Sequence, residues 1–485
     1  MTIFGSIEAG RSALKAQFKG MEVSGQNVAN ANSPGYSRQR VELSPAAPAP
    51  VPGMGYNPGY GVEITAITRL RSEFYHIQTM NSGSYRSYWE MRLECFEGAE
   101  VILMEPGENG LGNYLTEFFD CWQELSGSPE SAAVRMSLRE QALSFTKAVE
   151  DSYLRLNDFR LDWQHELNNQ VKEINQLASQ VAALNEKIIF SGALGDSPNA
   201  LLDQQDLVLE QLSELIDIRV YQKENGSVEL FAGGRLLVQD NHAFPLELVG
   251  EKIGEGGEDK GRLSLVSSRG LPLELRSGRV KGLLEAVNEI IPGLQDSLDN
   301  IISNLVEEVN HLHRGGYGLE GGTGRNFFAA IENEELPACL QFRLSTAVIE
   351  NIDLIAAASP PEPGGDSADP GGEIEAGNGV NALEIARLRD KPFDDSTGES
   401  SATLMDRYRG IISSLGVDGR ESGRMAQAFS QAESQFREHH LAATGVNLDE
   451  EMLNMIQYQH AWQAAANFIN QVDRMLEIMF MQLAR

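Results

Sequence analysis

The chain has 485 residues and a formal net charge of -31; 41% of its residues are hydrophobic and 7% are aromatic. This length exceeds what one hydrophobic core usually supports, so we expect about two to four domains. The acidic excess repels phosphate groups and argues against a nucleic acid or a membrane as partner. No apolar run reaches the roughly 18 residues that a membrane span needs, and the N-terminus lacks the pattern of a cleavable signal. We therefore expect a soluble protein.

The N-terminus carries a seven-residue hydrophobic repeat, which predicts a helix with an apolar seam. The companion positions of this seam, Gly10, Gln17 and Ser24, are small or polar after Ile3. The apolar positions are Ile7, Leu14, Met21 and Val28. The seam is therefore only half apolar.

The C-terminus carries a stronger repeat that extends over six heptads and predicts a well-specified helix. One seam consists of Leu448, Met455, Trp462, Ile469, Leu476 and Leu483, and the other of Tyr458, Ala465, Val472 and Met479. Asn447 is placed to cap this helix, Glu450 stands at the capping-box position, and Asp449 and Glu451 suit the positive end of the helix dipole. We expect the two terminal helices to pair along these seams as a coiled-coil stem.

Between the ends, a Pro-rich connector runs from Ser44 to Pro58 and excludes a helix there. A helix start follows at Ser128, because Pro129 and Glu130 suit the first helical turn. Apolar residues then recur at helical spacing as far as Ile188. This stretch predicts one or two long helices.

From about Ile216 the apolar period changes to two, and glycine-containing hairpin turns follow at Gly226 and Gly234. This pattern predicts a small antiparallel β domain that ends near residue 275. Helical spacing resumes from Leu284 to Leu312, where Pro292 either kinks or splits the helix.

The remaining stretch is mixed. Residues 359–379 are acidic and rich in Gly and Pro, which is typical of a flexible surface loop, and a last helix is predicted from about Met405. The predicted fold class is mainly α with a β insert, an α+β multidomain chain. The predicted domains are a terminal coiled-coil stem (1–43 with 445–485), a helical bundle (59–215 with 276–330 and 400–444), a β-rich outer domain (216–275) and a mixed segment (331–399).

The termini are expected to need neighbours. Ordering them costs more conformational entropy than about ten buried seam side chains return. The ends should therefore fray in the monomer and become ordered against copies of the chain or related subunits. Such behaviour is typical of an assembly subunit rather than of a monomeric enzyme.

The segment SGQNVANANSPGYSRQ, from Ser24 to Gln39, resembles the N-terminal signature of the flagellar axial proteins, the family of rod, hook and hook-associated subunits. The C-terminal segment from Gly445 to Met479 resembles the form found in the hook-associated protein 1 family. The GVNLDEE and SRQ sequences, with GGRLLV at Gly233 to Val238, favour that family over hook and rod proteins. The signature positions are Asn27, Asn30, Asn32, Pro34, Gly35, Tyr36, Gly445, Asn447, Asp449, Glu450 and Glu451.

The resemblance implies a structural subunit at the junction between hook and filament, with paired termini lining the axial channel. It implies as partners copies of the chain itself, the hook protein, a second hook-associated protein (FlgL) and a flagellar export chaperone. It also implies export through the flagellar type III apparatus to a flagellum that is external or enclosed in the periplasm. His460 and Trp462 depart from the usual Gln and Tyr of the family pattern.

The motifs of nucleotide-binding and hydrolytic enzymes GxxxxGK[ST], GxSxG and HExxH do not occur in the sequence. Gly316, Gly318 and Gly321 spell GxGxxG, but they follow a helix rather than a strand, so turn glycines are the better interpretation. His439 and His440 are adjacent on a predicted helix and diverge, which disfavours joint metal binding. We therefore expect no catalytic residue, no cofactor and no metal.

Two alternatives remain open. The first is another axial subunit of the hook or rod, which would differ in its partners. The second is an enzyme with helical oligomerisation arms, such as a wall-cleaving hydrolase, which would need two carboxylates across a groove. The sequence contains many acidic residues but no such pair that we can place.

Overall fold

The computed structural model describes residues 3–46, 61–104, 107, 110–252, 259–333, 335–359, 377–392 and 402–483. Helices dominate, and antiparallel strands are inserted between them, which confirms the predicted fold class. Most of the Pro-rich connector and most of the acidic loop at 359–379 lie outside the described residues. The division into four domains stays a prediction.

The α-helices of the described residues range from 4 to 62 residues in length. They are α1 (Ile3–Ala29), α2 (Glu73–Leu103), α3 (Leu111–Gly127), α4 (Ala132–Ala193), α5 (Asn199–Leu215), α6 (Arg279–Glu285), α7 (Ile291–Gly315), α8 (Ala338–Gln341), α9 (Thr346–Glu350), α10 (Val380–Arg387), α11 (Leu404–Thr444) and α12 (Leu448–Leu483).

The strands form three small antiparallel sheets. They are β1 (Gln39–Pro45), β2 (Val62–Arg69), β3 (Ile218–Gln222), β4 (Val228–Ala232), β5 (Arg235–Gln239), β6 (His242–Ala243), β7 (Leu246–Lys252) and β8 (Asp259–Ser267). β1 pairs with β2 from Gln39↔Arg69 to Pro45↔Val62, β3 to β6 form a meander, and β7 pairs with β8. The sequence predicted a small antiparallel β domain over the range that holds the second and third sheets, but it did not predict the first sheet.

α4 is one helix of 62 residues, so the predicted long helical stretch is not divided. It begins after Ser131, whose hydroxyl accepts from the backbone N–H of Val134 at 3.5 Å, three residues beyond the predicted start. Its first turns pack against α3 and α7 around a cluster of aromatic rings. The buried rings of this cluster include Phe118, Trp122, Phe145, Phe327 and Phe328.

Asparagine side chains dock the β strands onto the helices. Asn175 of α4 donates to the carbonyl of Leu246 at 2.9 Å and accepts from its N–H at 2.8 Å. Asn288 makes the same paired contact with Leu263, with both distances 2.8 Å. A primary amide presents one donor and one acceptor side by side, as a neighbouring strand does. The helices therefore complete hydrogen bonds at strand edges.

The helical run from residue 279 to residue 315 continues past Pro292. A π-helical turn, Ala286–Ile290, ends two residues before Pro292 and connects α6 to α7. Proline has no N–H to donate, so a carbonyl in the preceding turn loses its helical partner. Arg160 of α4 compensates by donating from Nε to the carbonyl of Val287 at 2.9 Å.

Residues 338–354, whose apolar pattern alternates, form short helices instead of strands. Ser345 and Asn351 each accept a backbone N–H and begin new helical turns, which interrupts any extended run. Arg135 lies buried beneath this segment and donates to the carbonyls of Pro129 and Ile355 at 2.7 and 2.8 Å. Burial lowers the pKa of Arg135, and the carbonyl contacts satisfy its donors.

Candidate assembly interface

The terminal helices α1 and α12 pack against each other in antiparallel orientation. A Cβ atom placed on Gly10 would lie 2.6 Å from Ile469, and one placed on Gly20 would lie 2.7 Å from the ring of Tyr458. Glycine at both positions therefore allows the two backbones to approach closely. The single chain thus forms the stem that the heptad patterns predict.

The side chains that α1 buries are not those of its predicted apolar repeat. Its buried side chains belong to Ala16, Val23, Ser24 and Asn27. The predicted seam residues are half-buried, and they are Ile7, Leu14, Met21 and Val28. α12 approaches α1 closely at Gly10 and Gly20, where a larger side chain would meet Ile469 or Tyr458.

On α12, the covered and the exposed residues do not divide along the two predicted seams. Val472 is buried, and Tyr458, Ala465, Ile469 and Leu476 are half-buried. Leu448, Met455 and Trp462 of one seam and Met479 of the other have exposed fractions between 36% and 47%. Each seam is therefore only partly covered in the single chain. The side chain of Leu483 lies outside the described residues.

The uncovered side of α12 forms an exposed apolar stripe, defined by Leu448, Met452, Met455 and Trp462. These residues recur at spacings of three, four and seven, the pattern of a coiled-coil seam. Further exposed apolar residues of the same helix are Leu453, Ile456, Phe468, Met475, Ile478, Phe480 and Met481. Contiguous exposed apolar surface of this kind marks an interaction site.

Arg38 holds the turn between α11 and α12, called the elbow here and comprising residues 444–447. Its Nε donates to Glu451 at 2.7 Å and its Nη1 donates to Glu450 at 2.8 Å, while its backbone N–H bonds Thr444. Burial alone would lower the pKa of Arg38, but the two carboxylates raise it above its usual value. Because Glu451 is buried, Arg38 provides the charge that it needs.

Asn27 fastens the end of α1 to the first sheet. Its Oδ1 accepts from the hydroxyl of Tyr36 at 2.8 Å and from the N–H of Gln39 at 3.0 Å. Its Nδ2 donates to the carbonyl of Gln39 at 2.9 Å. Burial, together with the carboxylates of Asp203 and Glu451, raises the pKa of Tyr36 to about 12. The phenol therefore stays protonated and remains a donor.

Other signature residues of the N-terminal segment shape the turn after α1. Asn30 donates to the carbonyl of Gln26, whereas Asn32 and Pro34 are exposed. Gly35 has a φ of 75°, and a Cβ there would lie 2.6 Å from Leu207. Only glycine meets both conditions without strain.

In the C-terminal signature, Asn447 caps α12 as predicted, accepting from the N–H groups of Asp449 at 3.0 Å and Glu450 at 3.4 Å. Gly445 ends α11, where a Cβ would lie 2.5 Å from the carbonyl of Leu441. Glu450 and Glu451 lie in the first turn of α12, where the sequence predicts capping and dipole stabilisation. Both carboxylates also bind Arg38, which the sequence did not predict.

Asp203 of α5 is part of this joint and was not found from the sequence. It accepts from the N–H of Ser37 at 3.3 Å and from Arg69 at 2.7 Å, and Arg69 also reaches Asp206. Only the position of Arg38 within the SRQ sequence hinted at this network. No sequence motif or spacing pointed to Asp203, because its partners lie more than a hundred residues away in sequence.

The described residues contain no group of three or more His, Cys, Asp or Glu side chains placed to bind a metal ion. Among the helices so described, none is long and apolar enough to span a membrane. Gly321 has a φ of 78° and its N–H bonds the carbonyl of Gly318, so these glycines form a turn. His313 lies buried, with Nδ1 on the carbonyl of Arg325 and Nε2 accepting from Ala356.

Comparison with protein families gives two matches. Residues 97–328 match the model of the flagellar hook-associated protein FlgK helical domain. Residues 437–480 match the model of the flagellar basal body rod FlgEFG protein C-terminal region. The first range covers α3 and α4 with the β insert, and the second covers the elbow and most of α12.

Known relatives match over much of the chain. Flagellar hook-associated protein 1 of Bacillus subtilis is 27% identical over 98% of this chain and 97% of its own length. The protein of the same name from Salmonella typhimurium is 26% identical over 66% of this chain and 58% of its own length. The solved structure of the flagellar hook junction protein FlgK from Burkholderia pseudomallei shares the fold, with a TM-score of 0.63 and 16% identity over 75% of this chain and 99% of that chain.

The paired termini and these matches define a structural protein of the bacterial flagellum, of the class that assembles with other axial subunits. Within that class, the matches are to flagellar hook-associated protein 1, FlgK, over its helical domain and, in one relative, over nearly the whole chain. The resemblance in the terminal sequences is thereby confirmed.

Proposed function

We propose that this chain is the structural subunit that joins the hook to the filament, and that it assembles through its paired terminal helices. Its relatives carry the name of hook-associated proteins, and one solved relative is a hook junction protein. The observation that carries the proposal is the exposed apolar stripe of α12. A stem helix that keeps such a stripe uncovered in the single chain gains stability from a neighbouring subunit.

The proposed partners are copies of this chain, the hook protein on one side and the second hook-associated protein, FlgL, on the other. The stripe supports contacts between stems, because it continues the surface on which α1 already packs. We also propose that a flagellar export chaperone covers α12 before export through the flagellar type III apparatus. The protein then acts outside the cytoplasm, in an external or periplasmic flagellum.

The proposed role involves no catalysis. A wall-cleaving hydrolase needs two carboxyl groups facing a substrate groove. The buried carboxylates at the stem joint are instead engaged by arginine: Glu451 by Arg38, and Asp203 by Arg69. Incubation of the purified protein with peptidoglycan should release no soluble fragments, and measurable release would contradict this part of the proposal.

The test is complementation of a strain whose own copy is deleted. The deletion strain should build hooks but shed filament protein into the medium. A variant with two charges on the stripe, M452E/M455E, should fold with a native circular dichroism spectrum yet fail to restore filaments. The matched control Q457E/Q471E adds the same charges to exposed positions on the side of α12 that faces away from the stripe, and it should restore them.

Two outcomes would contradict the proposal. A deletion strain without hooks would indicate a hook or rod subunit instead. Full restoration of filaments by M452E/M455E would show that the exposed apolar stripe is not an assembly surface.

A further inference from the structure

Two histidines meet between α2 and α11, one helical turn before the elbow. The ring centroids of His76 and His440 lie 5.9 Å apart. His76 is buried, with 3% of its surface exposed, and His440 is half-buried. This pair has no part in the stem contacts, yet it lies where the last turns of α11 rest on α2.

Each ring has one nitrogen without a hydrogen bond among the described residues. They are Nε2 of His76 and Nδ1 of His440, and both atoms are buried. The other nitrogen of His76, Nδ1, lies 3.5 Å from Oε1 of Glu210. A buried imidazole nitrogen of this kind is tolerated as a neutral lone pair more easily than as a charged donor.

The charged groups around the pair already have partners. On α5, Asp206 lies 3.0 Å from both Arg69 and Arg71, and Glu210 lies 3.8 Å from Arg437 of α11. Asp206 also lies 3.9 Å from Nε2 of His76. Farther along the same helices, Glu214 and Glu433 are paired with Arg86. One imidazolium is accommodated beside Glu210, but no carboxylate is left to balance a second.

We propose that the His76–His440 pair is a pH-sensitive latch, which holds the end of α11 against α2 at neutral pH and releases the elbow when acid protonates both rings. Two adjacent imidazolium ions repel each other and Arg71. Release frees the end of α11 and the elbow that it carries, while the cores around α4 and α7 remain folded. The proposal does not depend on the place of the protein in the flagellum.

The direction of the effect follows from His440. Burial, followed by the positive charges of His76 and Arg71, lowers the pKa of His440, against the opposing effect of Glu210. When folding lowers the pKa of a histidine, the unfolded chain binds the proton more readily than the folded chain does. The stability that this histidine contributes is therefore fully present above the pKa of the unfolded chain, about 6.5, and is lost as the pH falls through the pKa of the folded chain. The latch therefore opens on acidification and not on alkalinisation.

The test is amide hydrogen exchange of the full chain at about pH 7.5 and about pH 5.5, corrected for intrinsic rates, a range in which histidine titrates. Peptides covering 72–80 and 433–447 should exchange severalfold faster at the lower pH, because the contact between α11 and α2 opens more often there. A peptide covering 298–309 of α7 should not change. Equal acceleration of this core peptide would indicate global unfolding and overturn the latch.

The variant H76Q/H440Q replaces both rings with amides that do not titrate, and its exchange at 433–447 should lose the dependence on pH. The control H165Q changes an exposed histidine of α4 and should behave as the wild type. If the double variant retains the full acid response, the proposal is wrong. If that variant fails to fold, NMR titration of the two histidines in the wild type provides the test. Two independent titrations near pH 6.5 would overturn the latch, whereas coupled titration of the two rings would support it.

Discussion

Asn27 pairs with the backbone of Gln39 through both its amide donor and its amide acceptor, as one strand residue pairs with another. This contact ends α1 and begins β1, so the signature asparagine fixes the direction in which the chain leaves the stem. The third bond to Asn27, from Tyr36, closes the turn between them.

Replacing Asn27 by Ala should lower the free energy of unfolding by about 2 to 3 kcal/mol. The change leaves the N–H of Gln39 and the hydroxyl of Tyr36 without their acceptor in a mostly buried site. Urea unfolding followed by circular dichroism measures the loss. Asn30→Ala is the matched control, because Asn30 is only half-buried and its side chain makes exposed hydrogen bonds within its own turn, so a comparable loss there would contradict the assignment.

Glu451→Gln should loosen the elbow far more than Glu450→Gln. Both carboxylates bind Arg38, but the side chain of Glu451 is 2% exposed whereas that of Glu450 is 58% exposed. Neutralising Glu451 leaves Arg38 with a solvated partner only, and buried pairs lose more when one member is changed. Amide exchange at 444–452 should rise in E451Q and stay close to wild type in E450Q; equal effects would refute the asymmetry.

Gly20→Ala should separate the stem helices, since the added methyl group would lie 2.7 Å from the ring of Tyr458. Gly25→Ala lies on the same helix with nothing within 4 Å and should instead be neutral or stabilise by about 0.5–1 kcal/mol. The two variants differ only in what the methyl meets. Thermal unfolding and filament complementation should both rank G25A above G20A, and the reverse order would mean that the helices do not pack in this register.

Acid should destabilise the core through His313. Burial lowers the pKa of His313 to about 4, while the unfolded chain binds the proton near 6.5. Stability from this group is full above pH 6.5 and is lost as the pH falls towards 4, by up to about 3 kcal/mol. Urea titrations across this range should show a smaller slope for H313Q than for the wild type. The control H311Q, at an exposed position, should keep the slope.

The stem termini should still be the least protected part of the monomer. α1 buries few large side chains in the stem, and α12 leaves many apolar residues uncovered. Amide exchange at 3–29 and 448–483 should therefore be fast in the monomer and slow after assembly with hook. Slow exchange in both states would show that the stem is stable without neighbours.

The sequence predicted the helical stem and the β insert because both depend on local periodicity. The heptads of α12 and the alternating strands after Ile216 show this periodicity directly. The contact face of α1 escaped prediction, since a repeat of Ile7, Leu14, Met21 and Val28 reports hydrophobicity and not how closely two helices approach. Gly10 and Gly20 decide that distance. Small residues carry no signal in a hydrophobic pattern.

The joint at the elbow was predicted only in part. Asn447 was found because capping is local, whereas the partners of Arg38 and Asp203 lie more than a hundred residues away in sequence and leave no spacing to detect. The sheet of β1 and β2 was not predicted. The alternation of Val62, Ile64 and Ala66 is short, and it directly follows the Pro-rich connector between the two strands.

The unbroken length of α4 has a mechanical consequence. With 62 residues it extends over about 93 Å at about 1.5 Å per residue, and its C-terminal end leads into α5, which bonds the first sheet beside the elbow. A rotation of about 5° between stem and body would displace the far end of this rod by about 8 Å over that length. A change of angle at this joint would therefore move the N-terminal end of α4 much farther than the elbow itself.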